Sequence, residues 1–336
     1  MDHSDRAGPS GRAFLRAIAG TLLLVVALGL SGCSINPSWQ LAKTSPHEPA
    51  LLLDVPFHPQ TEYHCGPAAL ATTLGASGVA VAPEALAPQV FLPGREGSLQ
   101  LELVAATRRA GRVPYLVEDH PDSLLAHLQD GRPVLVLQNL LTRSVPHWHY
   151  AVLVGSDPSR NRLVLNSGTQ RGLEVSARKF LRTWDWAGRW GMVALQPGEL
   201  PSHAEPAKYL AAVADFQAVA GHAAAGPAYG AALQRWPDDP RVHLALGNAA
   251  YASGDLPGAA RHYRDGLTRA PADPVLGNNQ ASVLGELGCS QEAGAALRVA
   301  QQASPSDGRW SEALQETQDE LRGLKAERST HCDDFR

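Results

Sequence analysis

The chain has 336 residues, room for about two domains and at least one full core. Its hydrophobic (44%) and charged (18%) fractions are those of a globular protein, and a formal net charge of −4 leaves no broad basic footprint for nucleic acid. Lysine occurs only at Lys43, Lys179, Lys208 and Lys325, and no glycine-rich stretch ends in Gly-Lys-Ser/Thr, which excludes a phosphate-cradling P-loop.

The N-terminus reads as a targeting segment. Met1–Arg16 sets Arg6, Arg12 and Arg16 against Asp2 and Asp5, and Ala17–Leu30 is a run of 14 apolar or small residues, short for a membrane span. Leu30-Ser31-Gly32-Cys33 resembles a lipobox. That resemblance implies a signal peptide over 1–32, a lipidated Cys33 as the mature N-terminus, and attachment to a membrane with the protein facing the periplasm. Ser34, in place of Asp, favours the outer membrane by the same resemblance; an uncleaved anchor is the alternative. The stretch 33–50 is polar, carries three prolines (Pro37, Pro46 and Pro49) and is expected to be a tether.

From Leu51 to about 198 the pattern predicts an α+β domain. Apolar, β-rich runs fall at Leu51–Phe57, Pro133–Leu141, Tyr150–Gly155, Leu163–Asn166 and Gly191–Leu195, and helical periodicity at Pro67–Leu74, Leu99–Ala110 and Ser123–Leu128. Helices ahead of a strand cluster imply a mostly antiparallel sheet.

The chemistry centres on Gln60-Thr61-Glu62-Tyr63-His64-Cys65-Gly66-Pro67. Pro67 belongs in the first turn of a helix. That places Cys65 at a helix N-terminus, where the dipole is expected to lower the thiol pKa. Gly66 would admit a substrate backbone. Gln60, on the loop leading in, offers an amide to a developing oxyanion beside the Cys65 N–H. A cysteine nucleophile needs a base, and the base an orienting group. His149 heads the strand His149-Tyr150-Ala151-Val152-Leu153-Val154-Gly155, and a second strand ends at Asn166. A hairpin centred between Asp157 and Pro158 would put His149 opposite Asn166, close enough for the amide oxygen to accept from the imidazole.

Gln-x4-Cys-Gly-Pro, then Gly131-Arg132-Pro133-Val134-Leu135, then the His149 strand and a polar residue after the next strand resemble the double-glycine leader peptidases of bacteriocin exporters, within the papain-like superfamily. The resemblance spans about Leu51–Gln196. It implies a cysteine peptidase needing no cofactor, with Cys65 as nucleophile, His149 as base, Asn166 as orienter and Gln60 as oxyanion donor. Two departures stand out: nothing here could bind ATP, and the third member, usually aspartate, is Asn166.

Beyond a linker at Leu200–Pro206 the chain turns Ala-rich and repeats. Pro237, Pro271 and Pro305 are 34 apart, as are Tyr229, Tyr263 and Leu297, then Ala225, Ala259 and Ala293, then Phe216, Ala250 and Leu284. This resembles tetratricopeptide (TPR) repeats: three units over 206–306, with a capping helix and tail over 307–336. Such an all-α TPR solenoid would recruit a protein partner or present a substrate. The first unit departs from the others, with Ala220 where they have Gly254 and Gly288.

Other assignments stay open. Cys289 and Cys332 are candidates to pair. His147 is a rival base, and Cys65 alone would suit a buried inert thiol. His58, His64, His147 and His149 lack the spacing of a metal site, so no metal is expected. Trp184, Trp186 and Trp190 are expected in the core or at a groove edge. Three functions fit: a cysteine peptidase acting on peptides or proteins, an amidase acting on cell-wall peptides, and a catalytically silent binding lipoprotein.

Overall fold

The computed structural model describes residues 41, 50–59, 65–92, 94, 97–304, 308–323 and 332–335. The signal segment 1–32, Cys33 and Gln60 lie outside the described residues. No helix among the described residues is long and apolar enough to cross a membrane.

The apolar runs assemble into a seven-stranded antiparallel sheet. Its strands are β1 (Leu51–Leu52), β4 (Val113–Leu116), β5 (Val134–Asn139), β6 (Trp148–Asp157), β7 (Arg162–Ser167), β8 (Gln170–Ser176) and β9 (Gly191–Leu195). The order is β4-β9-β5-β6-β7-β8, and β1 pairs with the far half of β6. A small hairpin, β2 (Phe91–Leu92) with β3 (Gly97–Ser98), stands apart. Gly155 ends the apolar run of β6 because β1 crosses there: a Cβ would strike the Leu51 carbonyl and come within 3.3 Å of Leu52 Cα.

Alternation on the strands sorts the two faces. Leu135, Leu137, Tyr150, Val152 and Val154 form one core with Leu70 and Leu74 of α1 (Cys65–Ala76). Residues Gly66 to Leu74 of α1 are all buried, so the helix is apolar on every side and shows no amphipathic stripe. Helices α2 (Pro83–Val90) and α3 (Gln100–Arg109) pack beside it. On the other face lie α4 (Pro121–Gln129) and α5 (Ala177–Asp185), where Gln138 Nε2 donates to Thr183 Oγ1 at 2.6 Å.

The expected strand Leu51–Phe57 is only two residues long, because β6 offers it a free edge only beyond the end of β5. Elements α2, β4, β8 and α5 were not expected from the apolar pattern. In α5, charged residues alternate with Phe180, Leu181 and Trp184, so the buried stripe is interrupted in sequence though continuous on the helix.

Seven α-helices follow among the described residues: α6 (Pro206–Ala220), α7 (His222–Arg235), α8 (Pro240–Ala252), α9 (Leu256–Arg269), α10 (Pro274–Glu286), α11 (Ser290–Ala303) and α12 (Ser311–Gly323). The first six form three helix pairs whose first helices begin at Pro206, Pro240 and Pro274, so the pairs recur every 34 residues. Ala225, Ala259, Ala293, Tyr229, Tyr263, Leu297, Phe216, Ala250 and Leu284 are all buried. Small residues set the helix approach: a Cβ on Gly247 would strike the Tyr263 ring, and one on Gly277 would come within 2.8 Å of Ala300 Cβ. In the first pair the turn is shorter, and Gly221 (φ 87°) supplies the left-handed residue that Gly254 and Gly288 supply later. Cys289 and Cys332 form a disulfide, with Cα atoms 5.4 Å apart, which fastens the short 3-10 helix Cys332–Phe335 to this region.

The helical region docks through α6 on β4, the outer strand of the sheet, and on α3. Arg108 pairs with Asp215 at 2.6 Å, Lys208 with Glu118 at 2.8 Å, and Tyr209 Oη donates to the Glu199 carbonyl at 3.1 Å.

Two glycine substitutions separate packing from propensity. Gly155→Val, driven into the β1 backbone, should lower unfolding stability by about 1–3 kcal/mol. Gly230→Ala, in the interior of α7 with nothing within 4 Å of a new Cβ, should raise it by roughly 0.5–1 kcal/mol. Urea unfolding curves of the two variants test the pair.

Candidate active site

Helix α1 begins at Cys65, and its first turn is sunk into the protein. A Cβ on Gly66 would collide with Ser98 Oγ and approach Ser98 Cβ to 2.6 Å. Gly66 thus makes room for β3, a demand of the fold itself. The backbone N–H groups of Tyr150, Gly66 and Cys65 point at the sulfur and favour the thiolate, but burial is the larger effect and pushes the Cys65 thiol pKa up. The expectation of a lowered thiol pKa is therefore corrected: the amides act to lower it, and desolvation outweighs them.

His149 lies on β6 next to Tyr150, so the strand brings the imidazole to the same end of the sheet as the thiol. Its Nε2 is 2.9 Å from Ser167 Oγ, and Nδ1 is left without a hydrogen bond among the described residues. Burial, with a smaller contribution from His147, pulls the imidazole pKa down to about 4. No hydrogen bond joins Cys65 Sγ to His149 among the described residues, and both groups are neutral at neutral pH.

Asn166 is not opposite His149. It pairs with Val152, and its Oδ1 accepts from Gly172 N at 3.0 Å. Two local features move the register. The turn runs over Pro158–Asn161, closed by Asn161 N to the Pro158 carbonyl at 3.2 Å, with Asn161 at φ 52° and Asp157 Oδ1 accepting from Ser159 Oγ and Arg160 N. A bulge between Leu153 and Gly155 then shifts the ladder once more. The net displacement, from His149 to Val152, is an odd number of residues. It turns Asn166 to the Val152 face and brings Ser167 to the face of His149. Ser167 is the partner that the sequence reading missed; only its place after the strand's last apolar residue hinted at it.

His147 precedes β6 and is exposed, its backbone N–H bound to Asn139 Oδ1 at 3.0 Å, so it is not on the strand that carries His149. Trp184 is fully buried, stacks on Phe180 and donates from Nε1 to the Trp190 carbonyl at 2.9 Å. Trp190 meets the Tyr150 ring edge-on, and Trp186 lies under the Arg182 guanidinium. Leu140, Leu141 and Val145, on the β5–β6 connection, and Trp148, at the start of β6 beside His149, are all 44–61% exposed.

Residues 52–192 match the Peptidase_C39 like family. That segment, hereafter the C39-like domain, holds Cys65, His149, Asn166 and Ser167. Three solved structures are similar to it, each covering 44% of this chain and 98% of its own. One is described as a C39-like peptidase from Bacillus anthracis (17% identity, TM-score 0.38). The others, both at 19% identity and TM-score 0.34, are a double glycine motif protease from an AMS/PCAT transporter in complex with the leader peptide, and the peptidase domain of Streptococcus ComA, a bi-functional ABC transporter of a quorum-sensing pathway. No curated relative matches the chain.

The raised thiol pKa sets the pH dependence of alkylation. A thiol with raised pKa holds its proton through neutral pH and loses it only above the free-thiol midpoint of about 8.5. Iodoacetamide labelling of Cys65 in substrate-free protein, followed by peptide mass spectrometry, should therefore keep accelerating beyond that pH. A rate already at its plateau near pH 6 would mean a resting ion pair instead.

Proposed function

We propose that the C39-like domain is a papain-like cysteine peptidase that works by thiol acyl transfer, with Cys65 as nucleophile, His149 as base and Ser167, in place of Asn166, as the group that orients the base. The observation that carries this reading is the 2.9 Å contact of His149 Nε2 with Ser167 Oγ, next to a cysteine that opens a buried helix. It fixes the ring through one nitrogen and leaves Nδ1 for the thiol proton.

In this reading the resting pair is uncharged, and substrate binding completes it. Nδ1 takes the proton as Cys65 Sγ attacks the scissile carbonyl. The oxyanion draws on backbone N–H and on Gln60. Collapse expels the amine, which takes the proton from the imidazolium and leaves a thioester, and water then releases the acid and restores the thiol. A serine hydroxyl orients the ring but brings no counter-charge for the imidazolium, so turnover is slower than a carboxylate partner would allow. The exposed apolar side chains of Leu140, Leu141, Val145 and Trp148 suit a peptide with apolar side chains near the cleaved bond. Lipid on Cys33 would hold the protein at the periplasmic face of the outer membrane, and the 34-residue helix pairs, read as tetratricopeptide units, would recruit a partner or the substrate.

Steady-state kinetics on a peptide cleaved by the wild-type protein provide the test. Cys65→Ala should abolish turnover, and His149→Ala should reduce kcat about 10²–10⁴-fold. Ser167→Ala should lower kcat more than it raises KM, and Ser167→Asp should recover rate. Asn166→Ala should act on stability and leave kcat within a few-fold. Undiminished hydrolysis by Cys65→Ala would overturn the reading.

A further inference from the structure

Away from Cys65, at the junction with the helical region, Glu118, His127 and His203 converge. Each offers one ligand atom, and the three atoms lie within 4.8 Å of one another. Glu118 follows β4, His127 lies on α4, and His203 sits in the turn leading into α6. His127 is fully buried, and neither of its ring nitrogens has a hydrogen-bond partner. Both ring nitrogens of His203 and Glu118 Oε2 are likewise buried without one. The imidazoles stand edge to face at 4.5 Å between centroids, and His203 Nε2 is 3.7 Å from Glu118 Oε2. The other carboxylate oxygen, Oε1, is held by Lys208 Nζ at 2.8 Å and Tyr115 Oη at 3.1 Å.

Buried polar atoms ordinarily find partners, and a single spot that leaves five without any needs an occupant. The donor set narrows it. Two imidazoles and a carboxylate are zinc ligands, and a carboxylate pinned through its second oxygen matches the supporting hydrogen bonds that orient metal ligands. Ligands each about 2.1 Å from a tetrahedral ion stand about 3.4 Å apart. The present spacing closes to that by small side-chain rotations. Lys208 spends its charge on Oε1, not Oε2. The three residues come from separate elements, so no sequence spacing announces them.

We propose that Glu118, His127 and His203 bind a divalent transition cation of the zinc class, with water at the remaining position, and that the ion clamps the segment before α6 onto the C39-like domain. It acts as a structural staple, fixing how the helical region is presented, and takes no part in the chemistry at Cys65.

The test uses the full chain without a histidine tag, stripped by chelator and titrated with Zn²⁺ in a calorimeter. About one equivalent should bind, raise Tm and slow proteolysis between Leu200 and Pro206. Co²⁺ at the same site should give the visible bands of a tetrahedral ion. His203→Ala, in a surface turn that the fold tolerates, should lose all of these effects even if His127→Ala fails to fold. His262→Ala removes a member of the second candidate cluster, His243, His262 and Asp265, and should keep them. Absence of stoichiometric binding would overturn the proposal, as would binding that survives His203→Ala but not His262→Ala.

Discussion

A helix that starts inside a protein must find acceptors for its leading N–H groups, and in this chain the first turn of α1 turns them on the sulfur of Cys65. The rest of the site follows from that burial. Gly66 has no room for a side chain because Ser98 closes over it, and the thiol beside it is buried as well. Amides favour the thiolate while desolvation opposes it, and the second is larger. Across the end of β6 burial, reinforced by His147, leaves His149 neutral. On the proposed reading the resting groups are positioned but not ionised, and the bound substrate supplies the polarity that makes proton transfer favourable.

Much of the C39-like domain was legible because its central strands are continuous apolar runs between turn residues. Val134–Asn139, Gly191–Leu195 and the His149 strand stand nearly where periodicity puts them, and so does α1, announced by Gly66-Pro67. Legibility fails where one residue decides. Asp157-Pro158 looks like the centre of a tight turn, but the left-handed Asn161 closes a longer loop, and the bulge near Gly155 flips parity. Apolar periodicity carries no signal for either, since Leu163 and Leu165 stay buried in the true register. Hence Asn166, chemically the more suggestive residue, serves the β7–β8 junction, and the plainer Ser167 meets the imidazole.

The helical region was legible for a different reason. Its period of 34 residues is far longer than any helical period, so coincidence in several positions at once carries weight, and the sets that begin at Phe216, Ala225 and Tyr229 prove to be buried. Position within a repeat says nothing about contacts beyond it. The attachment of α6 to the outer strand β4, through Arg108, Lys208 and Tyr209, joins residues far apart in sequence, and the clustering of Glu118, His127 and His203 beside that attachment is equally invisible without the fold.

The bond between Cys289 and Cys332 has a bearing on the other end of the molecule. It leaves Cys65 as the one free cysteine among the described residues. Surroundings that keep a disulfide closed also threaten any nucleophilic thiol with sulfenic acid and mixed disulfides, and both begin with the thiolate. A cysteine held protonated and largely out of water is a poor target for those oxidants. In the proposed peptidase, what looks like a muted nucleophile is thus also a durable one, kept in its reduced form between encounters with substrate and spending little time in the state that oxidants attack.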